Sequence, residues 1–238
     1  MTILKKDRYP GIRSFEAEDK RLFYGRTKEI DDLFSLVKIK PLVVLFGKSG
    51  LGKSSLLKAG LGSVLLENHF FPIMIRVQDT SVSPIKTVLS ELEPFIDQKK
   101  LAQFGGKSTN QIWEAINASS FKDSNGNPAT PVLIFDQFEE LFNHEKTVQS
   151  EWAAQLSDLV EGRRPKDVVE AFQQIPRRER TAEQLAWFEP PEVKILFAIR
   201  SDRMSELHQL RFQLPAILQN RFELKPLQSS QALSLIHI

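Results

Sequence analysis

The chain has 238 residues, 41% hydrophobic and 26% charged, which fits one large globular domain or two small ones. With no cysteine and four scattered histidines, disulfides and thiolate metal sites are excluded and a structural zinc site is disfavoured. Lys plus Arg number 32 against 30 Asp plus Glu, and the net charge of +2 gives no whole-chain argument for nucleic acid or an anionic membrane.

No apolar run approaches the ~18 residues of a membrane span, and the N-terminus has no apolar core of signal-peptide length, so a cytoplasmic protein is expected. Residues 1–24 read as irregular, with a turn at Tyr9-Pro10-Gly11. Ile30, Leu33, Phe34 and Val37 recur at helical spacing and predict a helix over 27–38. "PLVVLF", 41–46, is a continuous apolar run that fits a strand buried on both faces. Leu57, Leu61, Val64 and Leu65 mark a helix from 53 to 66. A second strand is expected over 71–77, and a helix opens at Ser83-Pro84, where proline is tolerated in the first turn. Further on come a helix over 109–121, a loop at 123–131, a third strand at 132–138 and a helix at 150–162. Residues 163–191 read as a charged, proline-bounded helical insertion on the surface. A fourth strand at 193–200, a short fifth within 220–227 and a helix starting at 229 complete the pass. Strands alternating with helices predict an α/β fold with a mostly parallel sheet, helices on both faces, and ligands at the carboxyl ends of the strands.

The unusual residues fall at those ends. "GKSGLGKS", Gly47 to Ser54, has the spacing G-x-x-x-x-G-K-[ST], and it follows a buried strand and opens a helix. Such a loop wraps a phosphate with inward-pointing backbone N–H groups. Gly47, Lys48, Ser49, Gly50, Leu51 and Gly52 are therefore expected to cradle it, with glycine wherever a side chain would intrude. The helix N-terminus adds unpaired donors and partial positive charge. Lys53 would reach the β- and γ-phosphates, Ser54 would ligate Mg²⁺, and Ser55 would add a hydroxyl near the α-phosphate. A dinucleotide fingerprint fits less well, because it needs a glycine where Ser55 stands and leaves Lys53 unexplained.

"PVLIFDQFEELF" ends the third strand in Asp136, followed by Glu139 and Glu140. A triphosphate site needs a strand-end carboxylate for Mg²⁺, usually acting through water, and Asp136 is the candidate. Hydrolysis needs a group that orients or deprotonates water, and Glu139 and Glu140 are the candidates. The competing reading is an acidic first helical turn favoured by the dipole. Arg200 ends the fourth strand, where a cation can sense the γ-phosphate and stabilise charge in transfer. A satisfied surface arginine is the other reading, and Asp202 is its possible anchor.

Together these segments resemble the STAND class of P-loop NTPases, in particular a bacterial group whose ATPase module often precedes β-propeller repeats. "YPGIRSFEAEDKRLFYGRTKEI" resembles the N-terminal signature of that group. "LFGKSGLGKSSLLKAGL" resembles its Walker A loop and helix, "VLIFDQFEELF" its Walker B strand, and "ILFAIRSDRMSEL" its sensor strand. The resemblance implies a three-layer P-loop sandwich with strand order 5-1-4-3-2, the sensor strand lying between the two Walker strands. It implies ATP with Mg²⁺, Gly25 and Arg26 near the adenine, and Phe23 and Tyr24 packed beside them or in the core. Residues 1–24 would lead into the nucleotide site and 25–238 would form the NTPase domain. A winged-helix or helical lid and a sensor array follow this module in the class, so a longer protein that self-associates is implied.

The leading expectation is an ATP-binding, slowly hydrolysing regulatory switch in a signalling or defence protein. The alternative is an AAA+-like motor or loader acting on nucleic acid or protein. For that alternative "GRRPKDVVEAFQQIPRRER", 162–180, is the basic segment, and its acids make a solvated helical face the simpler reading. A small-molecule kinase and a non-hydrolysing scaffold are the remaining options. Nucleic acid and membrane are not indicated.

Overall fold

The computed structural model describes residues 25–104 and 108–227. The irregular segment expected over 1–24, with Phe23 and Tyr24, and the helix expected from 229 lie outside the described residues.

The frame is a five-stranded sheet in which every paired strand is parallel. Its strands are β1 (Leu42–Gly47), β2 (Phe70–Ile75), β3 (Thr130–Phe135), β4 (Lys194–Arg200) and β5 (Arg221–Glu223), in the order β2-β3-β4-β1-β5. Read from the other edge, this is the expected order 5-1-4-3-2. β4 separates β1 from β3, as the family resemblance implies.

The continuous apolar runs become central strands because successive side chains enter two different cores. Leu42 and Val44 of β1, Leu133 and Phe135 of β3, and Ile195, Phe197 and Ile199 of β4 belong to one cluster. Val43 and Leu45, Val132 and Ile134, and Leu196 and Ala198 belong to the other. These side chains are 0–1% exposed, so each contributes on the order of 1.5–3 kcal/mol of burial, less for alanine.

α5 (Gln98–Phe104) follows α4 (Pro84–Leu92) in the chain, and the first cluster is completed by α4, α6 (Gln111–Ala118) and α7 (Lys146–Val160). The second is completed by α1 (Thr27–Ile39) and the helix that leaves the glycine loop. That helix starts as α2 (Lys53–Ser55), runs through a π-helical stretch at Leu56–Leu61, and ends as α3 (Gly62–Glu67). The wide turn shows in the Gly62 N–H, which donates to Leu57 O. α1 buries Leu33 and Val37, one turn apart, and stops at Lys40, which is extended ahead of Pro41. α6 is capped by Asn110, whose side chain accepts from Trp113 N at 3.0 Å.

Two strand ends differ from the sequence expectation. The second strand, expected over 71–77, ends at Ile75, so Arg76 stands just past its carboxyl end. The third, expected to 138, ends at Phe135. Asp136 still donates its N–H to Ile75 O at 3.0 Å, but Gln137 turns left-handed at φ 56° and the chain enters 3₁₀ turns at Phe138–Asn143. Phe138 does not extend the strand. It stacks on Phe197 with ring centroids 4.0 Å apart.

Between Val160 and β4 lie α8 (Lys166–Gln173) and α9 (Ala182–Phe188). Phe172 and Phe188 stack at 3.9 Å, and Arg180 and Arg164 each cover an outer face at 4.5 Å. Trp187 meets Trp113 edge to face at 5.5 Å and joins the first core cluster. Among the described residues no helix is long and apolar enough to cross a membrane.

Candidate functional site

β1 delivers the glycine loop to the carboxyl end of the sheet, and its glycines do two different things. Gly50 and Gly52 hold φ at 79° and 83°, the left-handed region in which an L side chain is strained. Around both, a Cβ would meet open space. Gly47 is held by close approach: a Cβ there would lie 2.8 Å from Leu224 O, just past β5. Lys48, Ser49 and Gly50 are exposed at the tip, Leu51 is half-buried, and Ser55 is buried in the first helical turn.

Lys53 turns its side chain back into the loop. Its Nζ donates to Gly47 O at 2.8 Å and Lys48 O at 3.2 Å. Burial pushes its pKa down from the usual lysine value, while the carboxylates of Glu139 and Asp136 pull it up and Arg200 adds to the lowering. The ammonium therefore sits in the hollow of the loop, within the field of both strand-end acids.

Asp136 is 2% exposed. Ser54 Oγ donates to its Oδ1 at 2.9 Å, and Arg76 Nη2 donates to its Oδ2 at 2.6 Å. A hydroxyl and a carboxylate side by side are hard oxygen donors of the kind magnesium takes, together with phosphates and water. Among the described residues no cluster of three or more His, Cys, Asp or Glu forms a closed metal cage. The pair of Ser54 and Asp136 thus fits a cation shared with a polyphosphate.

Arg200 lies directly across from Gly47 in the β1–β4 register. Its backbone N–H donates to Glu139 Oε2 at 3.3 Å. Its guanidinium holds Asp202 with two bonds, Nε to Oδ1 at 3.1 Å and Nη2 to Oδ2 at 2.7 Å. The Asp202 carboxyl is held below its usual range, first by that hydrogen bond from Arg200. Glu140, half-buried beside Glu139, behaves in the opposite sense. Burial raises its pKa, Glu139 and Asp136 raise it further, and Arg76 opposes them.

On the other flank, Gly25 has φ 83°, and Arg26 is 5% exposed at the start of α1. Arg26 Nη1 donates to Glu29 Oε1 and to Lys225 O, both at 2.8 Å, and Nη2 reaches Leu51 O at 3.4 Å. One guanidinium ties α1, the glycine loop and the segment leaving β5.

The structure therefore gathers Gly47 to Ser54, Asp136, Glu139, Glu140 and Arg200 at one end of the sheet. Arg26 is joined to that group through Leu51. Sequence reasoning missed Arg76. The strand-end rule that singled out Asp136 and Arg200 would have found it, had the second strand not been drawn two residues too long. Gln78 and Gln137, which pair at 2.8 Å beside the acids, carried no sequence signal.

No curated protein matches the chain. Among solved structures it is similar to a Walker-type ATPase of Pyrococcus abyssi, at 18% identity and a TM-score of 0.54 over 94% of this chain and 59% of that one. The ORC2 protein of Aeropyrum pernix, solved in ADPNP–ADP complexes, aligns at 13% identity and a TM-score of 0.49, over 96% of this chain and 53% of that one. The chain spans little more than half the length of either protein. At 18% identity the Pyrococcus likeness speaks for the fold alone. A family model described as Novel STAND NTPase 1 matches residues 9–237, and the chain belongs to that family.

Proposed function

We propose that this chain is an ATP-binding, slowly hydrolysing regulatory module of a larger signalling or defence protein. The observation that carries the reading is the contact of Ser54 with Asp136 at 2.9 Å, next to a loop whose lysine is already turned inward. Membership of an NTPase family supports it.

In this reading the amides of Gly47 to Ser55 bind the phosphate oxygens, and Lys53 leaves the Gly47 and Lys48 carbonyls for the β- and γ-phosphates. Ser54 and Asp136 hold magnesium, which when bound supplies charge neutralisation at the phosphates. Glu139 and Glu140 orient the attacking water, and burial, which raises the pKa of Glu140, makes its carboxylate the more basic proton acceptor. Arg200 senses the γ-phosphate once it parts from Asp202. Gly25 and Arg26 form the base-proximal wall.

The NTPase domain is assigned to 25–238, with 163–191 as a helical insertion, and a lid and sensor domains are assigned to the longer protein. Nucleotide then acts by population shift: ATP and ADP bind a closed and an open, self-associating form with different affinities. The cytoplasm is the proposed location. Calorimetric titration of the chain with ATP, ADP and GTP in magnesium tests the proposal. ATP should bind more tightly than GTP, and K53A should bind none. Equal heats from wild type and K53A would overturn it.

A further inference from the structure

The metal side of the loop already contains a cation that belongs to the protein. Arg76, the residue after β2, donates to Asp136 Oδ2 at 2.6 Å while Ser54 occupies Oδ1. Both oxygens of a buried acid are thus engaged. A buried carboxylate without a positive partner is costly, so something cationic has to stand there whenever magnesium does not. Arg76 does this with 39% of its side chain still in solvent, so it can swing away without crossing the core. It also lies in the field of a second acid, Glu140, whose carboxyl it helps to keep ionised against burial and Glu139.

We infer that Arg76 is a positioning residue that neutralises Asp136 in the metal-free protein, yields Oδ2 when magnesium arrives with nucleotide, and then pairs with Glu140. The inference rests on the reading of Asp136 as the metal-side acid. It makes the guanidinium and the metal rivals for one carboxylate, so Arg76 raises the magnesium needed for saturation. Without metal, its charge instead assists a polyphosphate anion. Removing it moves the two affinities in opposite directions, whereas loss of a merely structural arginine would weaken both.

The full chain is titrated with a fluorescent N-methylanthraniloyl ATP, in EDTA and at stepped MgCl₂, as wild type, R76Q, R76K, K53A and D136A. In R76Q the half-saturating magnesium concentration should fall by about fivefold, the size of one partly exposed ion pair, and affinity in EDTA should fall by a similar factor. R76K should stay near wild type in both. An unchanged or increased magnesium requirement in R76Q overturns the inference while wild-type binding remains magnesium-dependent and sensitive to D136A. Wild-type binding that ignores K53A would instead overturn the proposed function. If R76Q does not fold by circular dichroism, the arginine side-chain ¹⁵N signal lost in R76K decides. It should move when magnesium is added to the ADP complex formed in EDTA, and a signal indifferent to magnesium overturns the inference.

Discussion

Ser54 and Asp136 are separated by 82 positions in the chain and joined by a 2.9 Å hydrogen bond, the hydroxyl donating to Oδ1. The sheet explains the meeting. β1 and β3 flank β4 and run parallel to it, so the turn after each emerges at the same end. The helix start after β1 and the acid after β3 then have one place to go.

Asp136→Ala should therefore act twice. It removes the partner of Ser54 and of Arg76 at a nearly sealed position, so stability without ligand should drop by about 1–3 kcal/mol in a urea titration. It should also abolish the magnesium dependence of nucleotide binding while leaving binding in EDTA equal or tighter, because a negative charge has gone. Magnesium dependence that survives intact would remove Asp136 from the metal side.

Lys53 gives a pH signature. Burial holds its pKa below the ordinary 10.5. Below that lowered value the side chain is an ammonium, and above it the side chain is neutral. Nucleotide affinity should thus fall as pH rises through a point short of 10.5, and K53R should stay flat over the same range because its guanidinium does not titrate there. K53A should lose binding at every pH with an unchanged circular dichroism spectrum. An affinity that is level for wild type up to pH 10.5 would contradict this.

The central strands were readable because both faces of β1, β3 and β4 are buried, which forces unbroken apolar runs. The loop was readable because Gly50 and Gly52 need left-handed φ and Lys53 has no packing reason to follow them. The 3₁₀ segments at Ser201–Leu210 and Pro215–Leu218 were not, since their spacing is not the 3.6-residue period that marks an α-helix. Ser54's acid, Asp136, was found, but its arginine was hidden inside a strand drawn too long. The basic segment at 162–180 holds a detail that the reading of it as a solvated helical face does not give. Arg164 and Arg180 are engaged with the rings of Phe188 and Phe172 and with backbone carbonyls, and no charge pattern along a sequence reveals such a stack.

Glu140 should show itself in stability against pH. Its folded pKa lies above the unfolded 4.5, with burial the leading cause and Glu139 next. Between the two values the folded state binds more protons than the unfolded one, so stability falls as pH rises through that window. The penalty is complete above the raised pKa and absent below 4.5. E140Q should therefore melt at a higher temperature than wild type at neutral pH, and the gap should close as pH falls toward 4.5. Thermal melts from pH 4 to 8 test this, and a gap that is constant or widens on acidification would refute it. The same variant should turn over ATP more slowly if Glu140 handles the water.

Gly47 and Gly50 stand in one loop and should fail differently. At Gly47 an added Cβ would meet Leu224 O at 2.8 Å and Leu224 Cβ at 3.3 Å, and neither is the free end of a flexible chain. Leu224 is 1% exposed, and its N–H donates to Phe46 O at 2.7 Å, so the clash would push β5 off β1. Arg26 holds the next carbonyl, Lys225 O, and would carry the displacement to α1 and Leu51. G47A should thus cost about 1–3 kcal/mol of stability without any ligand present. At Gly50 there is open space, and the cost is that of a left-handed alanine, about 1–2 kcal/mol and local to the loop. Hydrogen exchange separates the two. In G47A the amides of Val44 and Leu224, which pair β1 with the β5 segment, should exchange faster relative to the sheet interior. In G50A they should keep wild-type protection. Matching exchange patterns in the two variants would mean that Gly47 serves the phosphate loop alone and that the sheet edge does not depend on it.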